Sequence, residues 1–342
     1  MNRRGFLLGL TGAMTGAACG HRERRLNVFN WSDYVAPDTI PNFEREFRVR
    51  VRYGTYESAP EMLAKILSGN SGWDVVFPPA EFVPPVVELG LLQPLDHDLL
   101  SNLGALDAMF QHPPWDPRLQ YIVPYMHGTT GILYQKALAP ITAWADLWNS
   151  RLRGKITMLD DPPEVFAACL KKIGDSLNSA DPDQLRRAAR EAEDQKALLR
   201  AYLNAEVRDQ VVAGDVGAAQ AWAVTAGQAI AAAPGKLDYA FPTEGFARYA
   251  DNVAILRESR RVELAHQFVD YLLRPEVAAA IVEATQTATA NAAAQRLLPA
   301  AMRENPVLYP PPEILARGEW FEAQSSASQK LRDRLWTEIK SS

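Results

Sequence analysis

The chain reads as an α/β protein with two lobes, each a central sheet flanked by helices, and three observations carry that reading. Short apolar runs of strand character alternate with amphipathic helical stretches from about residue 26 onward. One run, Trp73-Asp74-Val75-Val76-Phe77-Pro78, is apolar around a single acid and stopped by proline. That is how a strand buried on both faces of a parallel sheet reads. With 342 residues, the chain also exceeds the size at which one core keeps growing, so two lobes are expected.

In order, Leu26–Asn30 and Val49–Tyr53 alternate at the strand period, and Ile40, Phe43 and Phe47 between them have helical spacing. A helix is expected over Pro60–Leu67 and another over Phe82–Leu89, the latter ended by Gly90 as a left-handed cap. Such a βαβαβα order gathers ligands at the carboxyl ends of its strands. A second unit follows Tyr121–Tyr134. A strand at Gly154–Asp160 leads through Asp160-Asp161-Pro162-Pro163 into a helix over Glu164–Ile173. A long charged helix is predicted over Pro182–Leu203, then a strand at Gly217–Trp222 and an alanine-rich helix over Thr225–Ala233. Strands at Leu237–Pro242 and Tyr249–Leu256, helices at Glu263–Leu273 and Pro275–Ala284, and a last helix near Ser326–Lys340 complete the chain. No repeat and no low-complexity linker separates the units, so the chain is expected to cross between lobes more than once.

Composition narrows the function. Hydrophobic residues make up 47% and charged residues 23%, with a formal charge of −5, which leaves no basic footprint for nucleic acid. Residues 1–19 have an export-signal layout: Arg3-Arg4, then Phe6-Leu7-Leu8, then a short Gly/Ala/Thr stretch. The paired arginines point to twin-arginine export, and Gly16-Ala17-Ala18-Cys19 resembles a lipobox that would acylate Cys19. Cys169 is then left alone in a helical pattern and reads as a buried thiol. The histidines are scattered and form no metal-ligand spacing, so neither metal nor cofactor is expected.

No nucleophile elbow, P-loop or dinucleotide fingerprint occurs. What recurs is an aromatic residue beside a carboxylate at strand ends: Trp31-Ser32-Asp33-Tyr34, Asp160-Asp161 with Glu164, Trp222, and Tyr249-Ala250-Asp251. A polyvalent organic cation needs this combination. Carboxylates must neutralise each ammonium in a dry cleft, and aromatic faces pack the methylene stem and add about 0.5–2 kcal/mol of cation–π attraction per contact. Each cluster also has a structural explanation. Asp161 to Glu164 makes a good helix start, with Pro162 at the first helical position. Trp222 suits a core, Tyr249 a strand and Asp251 a turn. Trp73 with Asp74, and Trp144 with Trp148, read as packing.

The motifs together resemble the spermidine/putrescine-binding proteins of bacterial ABC importers, within the extracellular solute-binding proteins. The segments that carry this are NWSDYV, YGTYES, WDVVFP, ITAWADLW, DDPPEVFAACLKKIG, FVDYLLRPEVA and GEW, in order along nearly the whole chain from Leu26. The resemblance implies a type II periplasmic-binding-protein clamshell that traps its ligand at the hinge. Its implied division puts 26–127 and 251–294 in one lobe, and 128–250 and 295–342 in the other. It also implies that Trp31, Asp33 and Tyr34 form a first ligand loop, that Asp161 and Glu164 face ligand nitrogens, and that Trp222 stacks on the stem. Tyr249 stands where the family has an aromatic, and Asp251 matches an amine-binding carboxylate. Two positions depart. Glu81, in Pro79-Ala80-Glu81, falls where an aromatic wall is expected, and Phe321 follows GEW where a polar glutamine is common.

The expected function is a non-enzymatic receptor, exported to the periplasm or anchored by lipid. It would capture a putrescine- or spermidine-like cation and deliver it to an ABC permease and ATPase. Two alternatives stand beside it: another cationic amine in the same fold, and a secreted hydrolase using Asp161 and Glu164 as its carboxylate pair.

Overall fold

The computed structural model describes residues 24–138, 140–204 and 206–341. The export signal and Cys19 lie outside the described residues. In the first unit, β1 (Arg25–Trp31) pairs in parallel with β2 (Arg50–Tyr56) and with the two-residue β3 (Val75–Val76). Helices α1 (Thr39–Phe47), α2 (Ala59–Ile66) and α3 (Val83–Glu88) occupy the connections. Ser58 caps α2 through the Glu61 N–H, and Gly90 takes its left-handed φ of 67° just after α3.

The long strand β4 (Ile122–Gln135) organises everything that follows. The second unit contains β5 (Ile156–Met158), α4 (Pro162–Lys172), α5 (Pro182–Lys196), β6 (Leu199–Tyr202), α6 (Val207–Ala213), β7 (Ala218–Trp222), α7 (Ala223–Ala232) and β8 (Leu237–Ala240). Strand β9 (Phe246–Ile255) returns beside β4, and α8 (Val262–Leu272) and α9 (Pro275–Thr285) lead to the short β10 (Ala288–Thr289). Strand β11 (Gly318–Trp320) and the C-terminal helix Ser326–Ser341 close the chain. The main strand order is β2-β1-β3-β9-β4-β7-β5-β6, with β8 and β10 on β4 and β11 on β9.

The two halves of β4 have different neighbours. Ile122–Thr129 pairs with β9, whereas Thr130–Gln135 pairs with β7 and β8. The apolar cores divide in the same way. One draws on Leu26 to Met126 and on Ala250 to Ala290, and a second on Ile132 to Phe246 with Leu335 and Ile339. Leu298 and Met302 pack on Ala278, Ala279 and Val282 of α9, while Val307 joins an alanine-rich group with α6, β7 and α7.

The structure corrects the sequence reading in two places. The predicted helix over Pro182–Leu203 stops at Lys196, because Leu199–Tyr202 pairs in parallel with β5 at the sheet edge. Backbone pairing there outweighs local helical patterning. The Trp73–Pro78 run is strand only at Val75–Val76, where it sits between β1 and β9. The strand expected over Tyr249–Leu256 forms as part of β9 and contains Asp251, which excludes the alternative of a turn there. The packing readings of the other tryptophans agree with their contacts. Trp73 stacks on Phe29 at 4.8 Å, and Trp144 and Trp148 donate their indole N–H groups to the Gly245 and Glu191 carbonyls. Cys169 is buried and free, with burial pushing its thiol far up.

Candidate functional site

The register of β4 assembles most of the site. Met126 lies opposite Asp251, Gly128 opposite Tyr249, and Thr130 opposite Trp222. Positions 126, 128 and 130 share one face of the strand, and cross-strand partners point the same way. Asp251, Tyr249 and Trp222 therefore stand in a row. Gly128 leaves room for this: a Cβ there would meet Tyr249 Cζ at 2.5 Å.

At one end, Tyr34 Oη donates to Asp251 Oδ2 at 2.8 Å, and Tyr125 Oη donates to the Tyr34 carbonyl at 2.6 Å. The Trp31 ring lies 4.6 Å from that of Tyr56 and 6.5 Å from that of Tyr34. Asp251 is 5% exposed, and its carboxyl is pushed up to about 7. Burial is the cause, opposed by the Tyr34 hydrogen bond and by the Trp31 indole. Trp31 Nε1 nevertheless falls short of hydrogen-bond geometry and is a buried donor without a partner.

At the other end, α4 begins. Asp161 is its N-cap and Pro162 its first residue, and Asp161 Oδ1 accepts the Glu164 N–H at 3.2 Å. The structural reading of this motif is thus correct, and it places both acids in one helical turn without excluding a second role. Glu164 is 4% exposed. Its Oε1 accepts from Thr130 Oγ1 and from Trp222 Nε1, each at 2.8 Å, while Oε2 is buried without a partner. Burial first, and then Asp161, push Glu164 up to about 8, with Glu81 adding to the rise. Asp161 is raised to about 6 by burial, and the Glu164 N–H opposes that rise.

Glu81 sits in a 3-10 turn, Ala80–Phe82, directly after Pro79, which bridges antiparallel to Asp251. Its Oε2 is sealed from solvent and unpartnered. Burial, then Asp251 and Asp161, raise it to about 8. The structure thus brings together Trp31, Tyr34, Glu81, Asp161, Glu164, Trp222, Tyr249 and Asp251. Among the described residues, no lysine or arginine forms an ion pair with any of the four acids, and no acidic or His/Cys cluster could hold a metal.

Two expected residues stand apart. Asp33 is exposed in a left-handed turn, φ 55°, just after β1. Phe321 packs in a small apolar group with Ala167, Leu177 and Ala247. The sequence reading missed Thr130 and Gln220. Gln220 donates to the Glu164 carbonyl at 2.8 Å and accepts the Leu159 N–H at 3.3 Å, tying the end of β5 to the start of α4. Neither residue belongs to a motif; only the alternation of β4 and β7 could have pointed to them.

Comparison with known proteins agrees with this architecture. Residues 39–309 match a family model described as bacterial extracellular solute-binding protein. The chain is 31% identical to the putrescine-binding periplasmic protein PotF of Escherichia coli (strain K12), over 98% of this chain and 97% of that one. It is 32% identical to the spermidine/putrescine-binding periplasmic protein of the same organism, over 92% and 91%. A putative spermidine/putrescine ABC transporter structure from Listeria monocytogenes superposes with a TM-score of 0.89 at 30% identity, covering 93% of this chain and 99% of that one. With the family model matching most of this chain and relatives aligned nearly end to end, the chain belongs to the bacterial extracellular solute-binding protein family.

Proposed function

We propose that this protein is the substrate-binding receptor of an ABC importer and captures a linear polyamine cation between its two lobes. The observation that carries this reading is a set of four carboxylates, Asp251 and Glu164 buried and Glu81 and Asp161 half-buried, flanked by aromatic rings and, among the described residues, ion-paired to no lysine or arginine. An unpaired buried anion costs several kcal/mol, which a bound ammonium group relieves. Asp251 holds one terminal ammonium, with Trp31 and Tyr34 beside it. Asp161 and Glu164 hold the other, Trp222 and Tyr249 pack the methylene stem, and Asp33 lies at the rim.

The relatives support the ligand class and the compartment, since they are periplasmic proteins for putrescine or for spermidine and putrescine. They are binding proteins, and a binding role without turnover suits the site. The lobes comprise β1–β3 with α8 and α9, and β5–β8 with the C-terminal helix; β4 and β9 cross between them as hinge strands. Leu298 and Met302 pack on α9, which supports a last crossing beyond Met302 in place of the expected one at 294/295. Export through residues 1–19 and acylation of Cys19 belong to the same proposal; a solved relative from Treponema pallidum is a lipoprotein.

Isothermal titration of the mature protein with putrescine and with spermidine tests the reading. Saturable binding of at least one is expected, and absence of heat and of thermal stabilisation with both overturns it.

A further inference from the structure

Glu81 differs from the other three acids in what surrounds it. The antiparallel bridge from Pro79 to Asp251 and the 3-10 turn that follows carry Glu81 into the site beside the Asp251 end. The fields of Asp251 and of Asp161 both bear on it, and Glu164 in turn feels Glu81. Asp251 itself is set mainly by burial, opposed by its neighbours Tyr34 and Trp31. Glu81 is therefore the carboxylate that links the two ends. Its Oε2 is sealed and unpartnered, and so is Oε2 of the nine-tenths-buried Glu164.

A diamine brings one ammonium to each end. It would satisfy Asp251 and the Asp161–Glu164 pair and leave Glu81 without a counter-charge, so Glu81 would keep its proton and add nothing to the hold on the ligand. A cation between the two ends lets Glu81 ionise against it and gains a charge-assisted pair. Resting on the polyamine reading above, we propose that Glu81 pairs with an internal secondary ammonium and makes the site selective for linear triamines over diamines.

The test compares spermidine with α,ω-diaminooctane, which has the same chain length but no internal nitrogen. Both are titrated calorimetrically into wild-type protein and into Glu81→Gln. Spermidine is expected to bind wild type about ten-fold or more tightly than the diamine, as a buried charge-assisted pair implies. Glu81→Gln should close most of that gap by weakening spermidine while leaving the diamine unchanged or tighter. Glu81→Tyr, which restores an aromatic wall, should favour the diamine further and carries the test if the glutamine variant folds poorly. Equal wild-type affinities, or a gap that survives both variants, overturn the role of Glu81 and leave the polyamine reading standing. If neither amine nor putrescine binds wild type, the polyamine reading itself falls and the inference falls with it.

Discussion

Each end of the site buries one carboxylate almost fully, Asp251 at one and Glu164 at the other, and surrounds it differently. Asp251 keeps one hydrogen bond from Tyr34 and titrates near 7; Glu164 accepts two, from Thr130 and Trp222, and still titrates near 8. The two rises above the ordinary values are of similar size, since an aspartate starts lower than a glutamate and burial is the leading cause of both. What differs is the company: Asp161 and Glu81 press like charge on Glu164, whereas Asp251 bears on Glu81 and is otherwise surrounded by aromatic and phenolic groups. One end is a single anchored charge. The other is a crowded set that releases its protons fully only when a cation arrives.

If Asp251 is the single anchor, Asp251→Asn should lower polyamine affinity about 100-fold or more, since it removes one partner of a buried charge pair while keeping an acceptor for Tyr34. Titration calorimetry measures this, and a loss under three-fold would move the anchor to the other end. Glu164→Gln should cost about 30-fold in affinity for the same reason and, unlike the first variant, should stabilise the ligand-free protein at pH 8. The sign follows from linkage. A folded value near 8, above the ordinary 4.5, means the folded state binds more protons. The contribution of Glu164 to stability is full below about 4.5 and is lost as pH rises through about 8. Thermal melts of ligand-free protein should therefore show the variant gaining Tm over wild type as pH rises from 5 to 8. A parallel pair of curves would mean that Glu164 is not the group responsible.

Gly128→Ala probes the row on β4 and should weaken binding about ten-fold, because the added methyl displaces Tyr249. Unchanged affinity would place Tyr249 outside the ligand. A smaller effect is expected from pH in wild type. Between pH 8 and 6, Glu81, Glu164 and Asp251 take up protons in the ligand-free protein, so affinity should fall several-fold as the solution is acidified. Binding that tightens on acidification contradicts the charge pairing. The smallest change belongs to Asp33→Asn: an exposed carboxylate on the rim should alter affinity about two-fold at most.

Much of this was legible in the chain because local patterns carried it. Strand periodicity at Leu26–Asn30, the buried run around Val75–Val76 and the cap at Asp161-Pro162 each follow from side chains close in sequence. The residues that proved harder act at a distance. Thr130 matters only because β4 pairs with β7 and α4 starts above them, and Tyr34 meets Asp251 across 217 positions of chain. Leu199–Tyr202 became a strand because β5 offered it an edge, which nothing within the charged stretch before it announces.

The sequence by itself determined the α/β class and the acids and aromatics available to a cation, because composition, periodicity and motif order are local properties; the departure at Glu81 came from the resemblance to polyamine-binding proteins. The tertiary structure decided which acids become buried neighbours and left Asp33 exposed at the rim. Burial and like-charge proximity set proton affinity and charge demand, and both exist only once β4, β9 and α4 have been brought together.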